Sequence, residues 1–168
     1  MMQRYNAIMI LAFVAVCAAA LSVGSCGDAS RTAYSRFVSV DAGKWNNTEY
    51  CYFPLDEAPA HTFSDSLQRY DLVLTVRHNT DFPYNNLWIV LDRTFGLDSI
   101  STEKVNLRLA DESGNWRGHA MQGLYEFSDT IMRKAAFSSA DMIALHHDMP
   151  QTIVPGIVDI GVTLVESE

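Results

Sequence analysis

The sequence predicts an all-β protein, a single β-sandwich or jelly-roll-like domain over residues 35–168. Three observations carry that prediction. Short runs rich in β-branched and aromatic residues recur along the chain. Turn residues separate them, and no stretch beyond residue 26 holds a long 3.6-residue period. Strands without alternating helices argue against a parallel α/β sheet and for a sandwich of antiparallel strands.

The first element precedes that domain. Met1-Met2-Gln3-Arg4 is a short basic leader, Ala7 to Leu21 is almost wholly apolar, and Val23-Gly24-Ser25 places small residues ahead of Cys26. A positive start, an apolar centre and small residues before a cleavage point make a secretory signal. The cysteine that follows resembles the bacterial lipobox, whose thiol is diacylated and becomes the first residue of the mature chain. Residues 1–25 therefore read as a lipoprotein signal peptide. The apolar run is shorter than the roughly 20 residues a membrane span needs, which argues against an uncleaved helix. Residues 26–34 read as the lipidated Cys26 and a tether, since Gly27 to Ala33 is small and polar. Two acyl chains hold a protein on a membrane durably where one does not.

Within the domain, Arg36 to Val40 is the first predicted strand, ended by Asp41-Ala42-Gly43. Thr48 to Phe53 is the second, closed by Pro54. Tyr70 to His78 alternates, with Leu72, Leu74 and Val76 on one face and Asp71, Val73, Thr75 and Arg77 on the other, the period of a half-buried strand. Leu87 to Leu91 is a more apolar strand. Lys104 to Leu109 alternates again, with Val105, Leu107 and Leu109 inward. Gly114 suits a positive φ in the turn Asp111 to Asn115. Trp116 to Phe127 reads as strand, because Gly118 and Gly123 argue against helix. Met142 to His147 and Ile157 to Val165 complete the set. Asp65 to Tyr70 and Ile131 to Ala136 are at most a helical turn or two.

Composition narrows the function. The 168 residues carry a formal charge of −8 without a basic cluster, which disfavours nucleic acid as a partner. Such a domain is also repelled by anionic headgroups, so membrane residence falls to Cys26. With Cys17 in the signal and Cys26 lipidated, only Cys51 remains, and one thiol forms no intramolecular disulfide. Cys51 lies in a predicted strand with no activating His or basic site nearby, so a buried structural role is expected. His146-His147-Asp148 looks like metal ligands, but adjacent residues of a strand face opposite ways and do not converge on one ion. No metal site is expected. No nucleophile elbow, P-loop, zinc-protease or EF-hand motif is present, and no carboxylate spacing singles out an acid/base pair.

Two segments stand out as a candidate partner or ligand loop: Arg77, Phe82, Tyr84, Asn85, Asn86 and Trp88 in the first, Trp116 in the second. Pro83 fixes φ, Phe82 is driven to extended geometry, and Asn85-Asn86 can bond their own backbone. Rigid amphipathic rings beside an Arg suit recognition of a protein or a glycan. The competing reading is a packed connection, with Phe82 and Tyr84 plugging the end of the sandwich.

Those segments, with the C-terminus, carry a resemblance to the GldH family of gliding-motility lipoproteins from the Bacteroidota. The matching pieces, in order, are Cys26, Tyr70-Asp71-Leu72, Arg77-His78, Phe82 to Leu87, Leu109-Ala110-Asp111, Gly114 to Gly118, Leu124-Tyr125 and Gly156 to Val162. The resemblance implies a cell-envelope lipoprotein of the gliding machinery or associated envelope systems, with no enzymatic activity, no cofactor, and other envelope proteins as partners. Gly27-Asp28-Ala29-Ser30 carries one acid rather than the acidic cluster associated with surface display in these bacteria, so the expected anchor faces the periplasm. The chain departs from the family at Met149-Pro150, where the family carries Met followed by Arg. A glycan-binding module is the alternative, resting on Phe82, Tyr84, Trp88 and Trp116. A hydrolase of envelope glycans would need two convergent carboxylates in a cleft.

Overall fold

Leu72, Leu74 and Val76 lie fully buried on one face of a strand, as their alternation predicts, and the rest of the core assembles around them. A computed structural model describes residues 32–95 and 99–168. The signal peptide, Cys26 and tether residues 27–31 lie outside the described residues. Eleven strands follow in order among the described residues: β1 Thr32–Ser39, β2 Lys44–Asn46, β3 Cys51–Pro54, β4 Tyr70–His78, β5 Asn86–Phe95, β6 Ser99–Arg108, β7 His119–Met121, β8 Leu124–Ala135, β9 Met142–His147, β10 Ile153–Pro155 and β11 Ile157–Glu166.

One sheet has the order β1-β11-β4-β8-β7, a second β3-β9-β5-β6, and β10 pairs with β2 as a separate ribbon. All pairings are antiparallel. With the three-residue strands set aside, eight strands remain in two four-stranded sheets, β1-β11-β4-β8 and β3-β9-β5-β6. That is the interleaved double Greek key of a jelly roll, so the sandwich expectation holds. Ile160, Val162 and Leu164 of β11 face Leu87, Ile89 and Leu91 of β5 and Ile143 and Leu145 of β9, all with essentially no exposed surface. Each such side chain stabilises the fold by roughly 1.5–3 kcal/mol. Cys51 is buried among them on β3, and burial, with Glu49 nearby, pushes its thiol up to about 11. It stays protonated at neutral pH.

Several local readings change. Residues 131–135 are not helical but the end of β8, with a register shift opposite Tyr70 and Leu72 and a positive φ at Lys134. Asp65 to Arg69 forms turns rather than helix, the Asp65 carboxylate accepting from the Leu67 N–H at 2.8 Å. β1 begins at Thr32 and takes in Ala33 and buried Tyr34, residues read above as tether. The short strands β2 and β10 have too few residues to show alternation; they form because Trp45 must be covered. Its indole donates to the Glu49 carbonyl at 3.0 Å and its carbonyl accepts from His147 Nε2 at 3.0 Å.

Candidate functional site

The end of the sandwich where β4 gives way to β5 is built by three connections. Asn79 turns the chain after β4: its side-chain oxygen accepts from the Asp81 N–H at 2.9 Å, and its own N–H donates to the Gly156 carbonyl at 2.9 Å. The connection between β10 and β11 is therefore tied to the loop. The third connection, after β6, is closed by Asp111, whose carboxylate accepts from the N–H groups of Ser113 (2.9 Å) and Asn115 (2.8 Å) and from the Asn115 amide (3.0 Å). These bonds, Asn115 first, hold the Asp111 carboxyl below the usual carboxylate range. Gly114 sits at φ +83, as the turn requires. The Ala110 N–H donates to the Asn85 carbonyl at 2.9 Å and joins the two loops.

Inside this end lies an aromatic cluster. His78 is fully buried, with Trp116 at 4.5 Å, Tyr125 at 5.4 Å and Phe82 at 5.6 Å between ring centroids. Its Nδ1 faces the Asn79 carbonyl at 3.2 Å and its Nε2 is buried without a hydrogen-bond partner among the described residues. Burial lowers the His78 pKa, and it does the same for His147, outweighing the opposing bond to the Trp45 carbonyl. The unfolded chain then takes up protons near pH 6.5 that the native rings refuse. Stability therefore falls as pH drops below about 6.5, the ordinary value of a histidine. We expect the urea midpoint to be lower at pH 5.5 than at 7.5, and His78→Phe to flatten part of that slope. An unchanged slope in the variant would remove His78 from the account.

On the outside of the same end two cavities adjoin. One, of about 380 Å³, is lined by Asn85, Asn86, Asn106, Arg108, Ala110, Asp111, Glu112 and Arg117. The other, of about 420 Å³, is lined by Tyr84, Asn86, Trp88, Lys104, Asp148, Met149, Pro150 and Gln151. Asn86 borders both, and its amide donates to Asn106 Oδ1 at 2.9 Å across the β5–β6 pair. Lys104 pairs with Asp148 and lies 5.1 Å from the Trp88 ring centroid. Lys104 holds the Asp148 carboxyl below its ordinary range.

The structure thus gathers Tyr84, Asn85, Asn86 and Trp88 on one surface. It separates the other predicted residues from them. Arg77 points onto the outer face of the larger sheet, where its Nε donates to Glu126 at 2.7 Å, Asp159 is 3.7 Å away, and its guanidinium covers the Phe37 ring at 4.1 Å. Phe82 is buried, and Trp116 is half-buried against the His78 cluster. The four rings therefore do not form one exposed row, and the motivation for a glycan platform goes with it. Phe82 plugs the sandwich, in line with the packed reading. Met149 is buried with its sulfur 3.4 Å from the Trp88 backbone nitrogen, and Pro150 borders the second cavity.

Lys104, Asn106, Arg108 and Arg117 carry no local signal that marks them as site residues. The inward assignment of Val105 and Leu107 places 104, 106 and 108 outward; the pairing of Trp88 with Asn106 and of Asn86 with Arg108 is what brings them to this surface. Among the described residues, no group of three or more His, Cys, Asp or Glu side chains is arranged to hold a metal ion. His146 and His147 do face opposite ways, His146 tilted against the Tyr50 ring at 4.5 Å.

A family model described as GldH lipoprotein matches residues 32–164. A gliding motility lipoprotein GldH homolog of Christiangramia forsetii is 25% identical over 85 residues, covering 51% of this chain and 48% of that protein. The match thus spans about half the length of that relative. Among solved structures, a chain of tomato aspermy virus aligns over 95% of this chain and 96% of its own at 9% identity and a TM-score of 0.29. The tobacco streak virus coat protein aligns over 80% and 86%, at 9% identity and a TM-score of 0.26. At those scores the likeness carries no argument, and the fold assignment rests on strand order. No helix among the described residues is long and apolar enough to cross a membrane.

Proposed function

Because the chain belongs to the GldH lipoprotein family, we propose that it is a non-enzymatic lipoprotein of the cell envelope, anchored through diacylated Cys26, that serves the gliding or associated envelope machinery by binding another envelope protein. The single observation that carries the binding role is the pair of cavities at the loop end. Tyr84 and Trp88 are half-buried rings there, rimmed by amide and charged side chains. Aromatic anchors inside a polar rim are the make-up of a protein contact surface.

Two measurements test this reading. A photo-crosslinking residue at Asn85 in intact cells should capture an envelope protein. Tyr84→Ala with Trp88→Ala should lose most of the adduct while shifting Tm by only a few degrees. If Asn85 captured nothing and deletion left motility, secretion and envelope assembly unchanged, the binding role would be abandoned. Cys26→Ala should leave the sandwich folded and move the protein from the membrane fraction to the soluble one. Pelleting of that variant after a salt wash would disprove the anchor. The single acid in Gly27 to Ser30 supports a periplasm-facing anchor, and protease treatment of intact cells should leave the protein whole.

A further inference from the structure

The described chain begins at one end of the sandwich, opposite the loop-end cavities. Thr32 pairs with Val165, Tyr70 pairs with both Glu166 and Ala135, and these are the starts of β1 and β4 and the ends of β11 and β8. The other sheet reaches the same end. Arg93 of β5 donates to the Ala136 carbonyl, and its guanidinium lies 3.8 Å from the Phe137 centroid and 4.2 Å from that of Phe95. Phe137 is 6.4 Å from Tyr70, which is 5.4 Å from Phe63. An aromatic layer therefore closes the end at which the described chain begins.

Beyond that layer, apolar side chains stand in the open. Leu67 is 81% exposed and Ile100 71%, the two most exposed large apolar residues among those described, and Phe95 is 43% exposed. Phe95 and Ile100 sit where β5 and β6 meet, in the pairs Phe95–Ser99 and Thr94–Ile100, Ile100 on the outer face of the smaller sheet where it borders a groove with Tyr50, Tyr52 and Met142. Single exposed apolar residues are ordinary on a surface; three around the end that carries the tether call for an occupant. The chain outside the described residues says what it is. Five residues, 27–31, separate Cys26 from Thr32, a connection that spans at most about 22 Å when extended. A diacylated Cys26 keeps this end within that distance of the bilayer. The acidic balance of −8 gives no general attraction to anionic headgroups, so what settles the end on a membrane must be apolar.

We propose that this end rests on the lipid surface, with Leu67, Phe95 and Ile100 entering the boundary between headgroups and acyl chains. The anchor and these side chains then fix the orientation of the domain, and the loop-end cavities stand at least the length of β1, roughly 25 Å, farther from the membrane. The proposal rests on the lipid-anchor reading.

The test uses the mature lipoprotein in phosphatidylcholine–phosphatidylethanolamine vesicles. An environment-sensitive fluorophore is placed at Leu67→Cys, Ile100→Cys or, as control, Asn85→Cys; Cys51 is buried and stays unlabelled. Probes at 67 and 100 should shift to the blue and be quenched by shallow doxyl-labelled lipid several-fold more than the probe at 85. Protein that floats with the vesicles but shows equal quenching at all three positions would overturn the orientation while leaving the anchor intact. A blue shift without lipid quenching would mean that protein covers this end, and would equally overturn it. Protein that does not float would remove the anchor and, with it, the proposal.

Discussion

Arg93→Ala is expected to destabilise the domain by about 3–5 kcal/mol, the loss seen when one partner of a buried ion pair is removed. The pair is enclosed: Arg93 Nη2 donates to Asp141 Oδ2 at 2.7 Å, and each side chain is only 5% exposed. Asp141 also accepts from the Ser138 N–H and hydroxyl, so it closes the turn between β8 and β9 as well as balancing the charge. Truncating Arg93 leaves that carboxylate buried without its cation. It also removes a plate stacked between Phe95 and Phe137. The double variant Arg93→Met, Asp141→Leu should recover part of the loss, because no isolated charge remains. Urea denaturation of the three proteins decides the matter. A loss below about 1 kcal/mol for Arg93→Ala is the range of a surface pair and would contradict the burial argument.

Gly156→Ala should be comparably severe, about 3 kcal/mol, for a different reason. Gly156 has φ +84, and a Cβ there would lie 2.2 Å from the Phe82 backbone nitrogen. Left-handed strain costs about 1–2 kcal/mol for an alanine, and displacing packed backbone adds about 1–3 kcal/mol. The displaced atoms belong to the loop that carries Tyr84, so crosslinking through Asn85 should fall along with Tm. Gly114→Ala is the control. Its φ is +83, but no atom of the described residues lies within 4 Å of the added Cβ, so only the strain of about 1–2 kcal/mol is expected. Equal losses at the two positions would show that close approach to Phe82 is not what requires Gly156.

The parts of the fold legible in the sequence are those where burial is one-sided and the strand long. Leu72-x-Leu74-x-Val76 displays both the strand and its inner face. Arg93 shows the limit of that reading. It continues the inward series Leu87, Ile89, Leu91 on β5, but a charge in that register reads as the end of the strand until Asp141, 48 residues on, is known to meet it. Trp45 escapes the reading for the same reason: its strand is three residues long and owes its place to His147, 102 residues away. At the candidate site, Tyr84, Asn85, Asn86 and Trp88 are legible because turn chemistry and rings are local features. Arg77 does not join them, because its strand position turns it onto the outer face of the larger sheet, toward Glu126 and Phe37, while the loop turns away.

β1 has β11 as its one hydrogen-bonded neighbour in the sheet among the described residues, and the paired hydroxyls of Ser35 and Thr163, 3.1 Å apart, are separated by 128 residues of chain. Contacts of such separation make β topologies slow to form, on the order of milliseconds to seconds. The first strand of the domain is therefore synthesised first and finds its place last. A chain interrupted before Ile157 would leave β1 without a sheet and the edge of β4 bare, a species exposed to aggregation and proteolysis. Completion of the last strand is thus the step that joins β1 to β4 and closes the larger sheet.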